Sequence, residues 1–190
     1  MPHPDSLTLF PLLLDHAHSS PERAAIITPE ARIDYGVLPD RVQAIAGWLL
    51  DQGFDTGAMT GVMVSDEVDH LLVTLALLCL GTPNISLGTF DDGQSHRRVA
   101  QQLEMAQLIA PAQMHIDSIQ RHFCPPSDCA PSETVKEKLA GQSLAPGDRL
   151  LYCSTSGTTG APKTFGRTIA LTLSLASRIA ADPGKNCTLR

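Results

Sequence analysis

The chain has 190 residues, with 14 Lys and Arg against 20 Asp and Glu, a formal charge of −6 at pH 7. That acidic balance argues against a nucleic-acid or anionic-membrane binder. With 43% hydrophobic and 18% charged residues it holds enough apolar material for a packed core and lacks the composition of a disordered chain.

Residues 7–17 carry apolar side chains at helical spacing, with Ser6 placed to cap the start and Ser19, Ser20 and Pro21 to end it. Residues 24–28 and 32–35 predict a strand pair turning at Pro29 and Glu30, since Ile26, Ile27 and Ile33 are β-branched. Val42, Ile45, Ala46, Leu49 and Leu50 then recur at three- and four-residue spacing, which predicts an amphipathic helix closed by Gly53.

A short apolar run at 60–65, a helix over 67–80 and a strand at 84–87 make a strand–helix–strand unit. Asp66, Glu67 and Asp69 stand where negative charge stabilises the amino end of that helix. A helix over 97–106 and a strand over 107–110 repeat the alternation. Residues 111–147 are punctuated by five prolines, and one short helix near 115–122 followed by a long loop is expected there. His122, Cys124 and Cys129 lie close together but lack the four ligands of a zinc site. Beyond them, 149–153 reads as a strand, 154–163 as a loop, 164–168 as a strand and 169–181 as a helix. The alternation favours an α/β fold with a mostly parallel sheet flanked by helices.

The most apolar stretch, 71–80, is about half of the ~20 residues a membrane-spanning helix needs, so no membrane span is expected. No Lys or Arg precedes Arg23 and Pro11 breaks the first apolar run, which argues against a secretory leader and for a cytoplasmic location. Five scattered cysteines in a chain of this size suit reduced thiols.

The segment from Tyr152 to Lys163 concentrates the chemistry. Gly157 and Gly160 let backbone amides turn toward one point, and such concave amide groups bind anions. Thr155, Ser156, Thr158 and Thr159 add hydroxyl donors and Lys163 adds a mobile positive charge, so the loop suits a polyphosphate. A flexible Ser/Gly/Thr linker would have the same composition, but the strand before, the Pro-Lys at the end and the apolar helix after weigh against it. It is not a G-x-x-x-x-G-K-[ST] loop, because Lys163 follows Gly160 by three residues and Pro162 intervenes.

The segment resembles the phosphate-loop signature of the adenylate-forming (AMP-binding) ligases, among them acyl- and aryl-CoA synthetases and the amino-acid-activating domains of peptide synthetases. Residues 21–26, Ile33-Asp34-Tyr35 and 81–87 are similar to the family's earlier elements in the same order. The resemblance implies the amino-terminal part of the large domain of an acyl-CoA-synthetase-like enzyme. The activity implied is ATP-dependent, Mg²⁺-assisted conversion of a carboxylic acid to an acyl-adenylate, followed by transfer to the thiol of CoA or of a carrier-protein pantetheine. Thr155, Ser156, Gly157, Thr158, Thr159, Gly160 and Lys163 would close over the β- and γ-phosphates; no residue is assigned a bond-making role, and no metal ligand is assigned.

This chain departs from the family in having Thr164 after the lysine and Gly166-Arg167-Thr168 where the family has a Thr-His pair. Its length implies one partial domain over 1–190, with the remainder of the large domain and the mobile lid domain lying beyond Arg190 and the isolated chain inactive. The alternative is a non-catalytic truncated or split-gene module that binds a partner chain or a nucleotide.

Overall fold

The computed structural model describes residues 7–89, 92–126, 128–155 and 163–180. A helix, α1 (Leu9–Ser19), leads into the antiparallel pair β1 (Ala24–Ile27) and β2 (Arg32–Asp34) and then α2 (Leu38–Asp51). The alternating part follows as β3 (Thr60–Val62), α3 (Glu67–Leu80), β4 (Asn84–Ser86), α4 (Gly93–Gln102), β5 (Gln107–Ile109), β6 (Arg121–Phe123) and α5 (Glu133–Gly141). A strand pair, β7 (Arg149–Thr155) and β8 (Lys163–Thr168), and α6 (Ile169–Ala180) end the described chain.

The main sheet has the order β6-β5-β3-β4-β7-β8, with every pair parallel except β7 with β8. After β3 the chain moves to one side to form β4, then crosses back to form β5 on the other. Strand order therefore reverses around β3 and β4, and the carboxyl ends of β6, β5, β3, β4 and β7 share one edge of the sheet.

Alternation along the strands sets the two larger hydrophobic cores of the described residues on opposite faces of the sheet, beside a small cluster of Leu144, Leu150 and Ile169. Val62 and Ile109 face the side covered by α1, α2, α3 and α5, where Phe10, Val42, Leu49, Leu77 and Leu139 pack. Met63, Leu108 and Ala110 face the other side, against Val99 and Ala100 of α4 and against Ile116 and Ile119. Gly61 lies where a Cβ would come within 2.6 Å of Met105 Sδ and 3.0 Å of Leu108 Cδ1, so the central strand is pressed against its covering layer.

Four expectations change, the first being the loop read over 154–163, since β7 runs on to Thr155 and β8 starts at Lys163. α1 begins at Leu9 rather than Leu7, because the Leu7 backbone is bonded in both directions to Leu144 (2.9 and 2.8 Å). Ser6 lies outside the described residues. α4 starts at Gly93, four residues earlier than the apolar pattern indicates, because the Asp92 carboxylate accepts from the Ser95 amide at 2.6 Å and starts the helix in a polar segment. The stretch 111–147 is neither loop throughout nor helical near 115–122: it holds β6, parallel to β5, and α5, whose Val135 and Leu139 join the first core.

Candidate functional site at the carboxyl edge of the sheet

The residues that carry the candidate site emerge from β7. Leu151 and Tyr152 pair with Arg167 and Gly166, and the ladder continues to Thr155 opposite Lys163. Thr155 and Lys163, the residues on either side of 156–162 in the sequence, are thereby held in register by one antiparallel pair, and the Thr155 hydroxyl donates to the Lys163 carbonyl at 3.4 Å. Thr155 and Lys163 are exposed at this end. Ser156, Gly157, Thr158, Thr159 and Gly160 lie outside the described residues. Cys153, within β7, is half-buried.

Gly166 has a packing reason. A Cβ there would sit 2.9 Å from Tyr152 Cε1 and 3.0 Å from Cζ, so the ring of Tyr152 lies across the bare backbone of its cross-strand partner. Tyr152 also rests against the second core. Behind β8, the Thr168 hydroxyl accepts from the Leu171 amide at 3.2 Å, and the Ile169 and Ala170 amides donate to Asp148 and Pro146 carbonyls at 2.9 and 3.1 Å. This ties the start of α6 to the turn that precedes β7.

Two further cavities open at the carboxyl ends of the parallel strands, the position where open α/β sheets bind ligands. One, of about 240 Å³, lies beyond β3, β5 and β6 and is bordered by Arg41, Asp69, Cys124 and Cys129. Burial, followed by the charge of Asp128, raises the Cys129 thiol above its ordinary range. His122 turns its Nε2 to the Ile119 carbonyl at 3.2 Å, and among the described residues no three His, Cys, Asp or Glu side chains converge as for a metal.

The other cavity, of about 420 Å³, lies beyond β3 and β4 and is bordered by Val64, Glu67, His70, Leu71, Ser86 and Gly88. Within it His70 Nε2 lies 2.7 Å from the Ser86 hydroxyl, and His70 Nδ1 lies 3.3 Å from the Val64 carbonyl. No sequence motif announces this pair. The available signal is the alternation of β4, which buries Ile85 in the second core and so turns Ser86 toward α3.

The amino end of α3 behaves as its charges indicate: the Asp66 side chain caps it by accepting from the Asp69 amide at 2.8 Å. Among the described residues no helix is long and apolar enough to cross a membrane.

The family model for the AMP-binding enzymes matches residues 13–183. A subunit of the linear gramicidin synthase of Brevibacillus parabrevis is 27% identical over 177 residues, covering 85% of this chain and 2% of that protein. The PKS-NRPS hybrid synthetase acdB of Aspergillus candidus is 33% identical over 79 residues, 41% of this chain and 3% of its own length. Among solved structures, o-succinylbenzoate CoA synthetase of Bacillus subtilis in complex with its acyl-adenylate intermediate superposes with a TM-score of 0.75 at 16% identity, covering 96% of this chain and 48% of that one. The amino-terminal subdomain of Klebsiella oxytoca NpsA, in complex with 3-hydroxybenzoyl-AMSN, gives a TM-score of 0.67 at 18% identity over 85% of this chain and 41% of that one. At such identities the two likenesses establish the shared fold. This chain spans about half of the solved chains and a few per cent of the curated synthetases.

Proposed function

We propose that this chain, which belongs to the AMP-binding enzyme family, supplies the phosphate-gripping edge of an enzyme that uses ATP to activate a carboxylic acid as an acyl-adenylate. In that reaction a carboxylate oxygen attacks the α-phosphorus, the bond to the β-phosphate oxygen breaks, and pyrophosphate leaves. Negative charge builds on the departing group. Donors fixed in advance around it lower the barrier because they need no reorganisation as the charge develops.

The observation that carries the reading is the register of Thr155 with Lys163, which brings the two residues flanking the Gly/Ser/Thr stretch together at the carboxyl edge of the sheet and leaves both exposed there. Thr155 and Lys163, with Ser156, Gly157, Thr158, Thr159 and Gly160 between them, would hold the β- and γ-phosphates through hydroxyls, amides and one positive charge. These donors fit the triphosphate of ATP. Mg²⁺, when bound, neutralises phosphate charge. Among the described residues no three His, Cys, Asp or Glu side chains converge to hold it.

A thiol, of CoA or of a carrier-protein pantetheine, is the acceptor we infer for the acyl group. Support comes from the names of the relatives: one solved neighbour is a CoA synthetase, and the sequence relatives are synthases and synthetases of the gramicidin and PKS-NRPS kind. A cytoplasmic location follows for an enzyme that draws on ATP and such a thiol.

The test is acid-dependent exchange of pyrophosphate into ATP by the intact enzyme and by a variant of it carrying Lys163→Ala, Gly157→Ala and Gly160→Ala. Loss of the charge, together with added Cβ atoms that stop the amides turning toward one point, should lower exchange by about 100-fold or more, the effect of removing one such donor in other enzymes. Unchanged exchange in the triple variant would sink the assignment.

A further inference from the structure

Strand period and helix position bring Ser86 and His70 together from different elements. Ser86 ends β4 in register with Val62, and its neighbour Ile85 points into the second core, so the Ser86 side chain stands on the α3 side of the sheet. His70 lies in the first part of α3, which follows β3 directly. The ring is oriented at both nitrogens. A carbonyl only accepts, so the contact at 3.3 Å between Nδ1 and Val64 places the imidazole proton on Nδ1. Nε2 of the neutral ring is then an acceptor, and the Ser86 hydroxyl at 2.7 Å donates to it.

This is the arrangement of an activated serine: a nucleophile bonded to a base whose other nitrogen is held by a third group. The hydroxyl is exposed and borders the cavity of about 420 Å³. Val64, Leu71 and Leu87 give that cavity apolar walls, and Glu67 puts a carboxylate on it. The apolar walls suit an aliphatic acyl group, and the carboxylate disfavours acyl groups that carry their own negative charge.

We propose that Ser86 and His70 form a nucleophile–base pair that takes acyl groups from uncharged activated esters through an acyl-serine intermediate. Ser86 Oγ forms a bond to the acyl carbon while its proton passes to His70 Nε2. The bond from the acyl carbon to the leaving oxygen then breaks, and His70 returns the proton to that oxygen. Water completes the cycle: it gives a proton to Nε2 as it attacks the acyl-serine, and Ser86 regains that proton as the carboxylic acid departs. The step is separate from nucleotide phosphate binding and uses none of the residues 155–163.

An alkyl fluorophosphonate tests the pair, because the serine oxygen displaces fluoride and keeps the phosphonyl group, which mass spectrometry locates on the peptide. In the purified protein Ser86 should be labelled, and Ser86→Ala should remove that adduct. His70→Ala should slow labelling by about 100-fold or more, the usual contribution of a general base, and added imidazole should restore part of the rate. Should His70→Ala fail to fold by circular dichroism, His70→Gln keeps an amide against Ser86 without supplying a base, and the same slowing is expected. Absence of the adduct from Ser86 in the folded protein overturns the proposal. So does undiminished labelling in a His70 variant, or a loss in folded His70→Ala that imidazole does not restore.

Discussion

Gly166 illustrates how one side chain's absence shapes the strand pair that holds the candidate loop. The space over its Cα is occupied by the ring of Tyr152, so Gly166→Ala forces the ring outward or opens the β7–β8 ladder. Overpacking of this kind costs about 1–3 kcal/mol, and a urea-unfolding comparison should show the loss. The Gly166→Ala,Tyr152→Ala double variant, which vacates the space, should lose less than the two single losses summed. The cysteines differ as sharply. Burial pushes the Cys79 thiol up to about 12, whereas Cys124 is exposed. Since the thiolate is the reactive form, iodoacetamide at neutral pH should alkylate Cys124 in the native protein and reach Cys79 only after denaturation. Early modification of Cys79 would contradict its burial on the inner face of α3.

At the scale of elements, two helices begin on aspartates, and both caps can be weighed. Asp66→Ala removes the acceptor for the Asp69 amide and should cost about 1 kcal/mol in a urea titration. Asp92 starts α4, and the Ser95 amide, followed by the Ser95 side chain, lowers its pKa below 3.8. A carboxylate whose folded pKa is depressed stabilises the fold fully above its unfolded pKa and loses that contribution as the pH falls through the folded value. The stability difference between the protein and Asp92→Ala should therefore be constant near neutrality and shrink below pH 3.8. Asp92 shows what local pattern could and could not reveal. Its helix begins in Gly-Gln-Ser-His, where apolar spacing gives no signal, so only the cap marks the start. β6 is quieter still: Arg121 and His122 are exposed and Phe123 alone is buried, which leaves no alternation to read. α5 offers just Val135 and Leu139 as core contacts, in a stretch punctuated by prolines. By contrast α3, apolar nearly all round and capped at both ends by Asp66 and Gly81, was legible from residue to residue. The candidate loop was legible because its chemistry is contiguous, while Ser86 and His70 belong to different elements and meet only once β3, α3 and β4 have folded.

For the molecule as a whole, the central sheet separates two cores that local sequence does not distinguish. Leu77 of α3 packs in one and Val99 of α4 in the other, both buried, with β3, β4 and β5 between the helices. Leu77→Ala should cost about 2–5 kcal/mol. Val99→Ala removes two methyl groups and should cost roughly 1–3 kcal/mol. Because the residues share no packing partners, the double variant should lose the sum to within about 0.5 kcal/mol. Yet both cores rest on the same strands: Val62 and Met63 are consecutive and face opposite layers, as do Leu108 and Ile109. Losing one layer strips the covering from strands that the other layer needs. Unfolding of each variant followed by circular dichroism and by Trp48 fluorescence should therefore give one coincident transition. Separate transitions, or a double-variant loss far from additive, would mean that the two faces are not independent packings on one cooperative sheet.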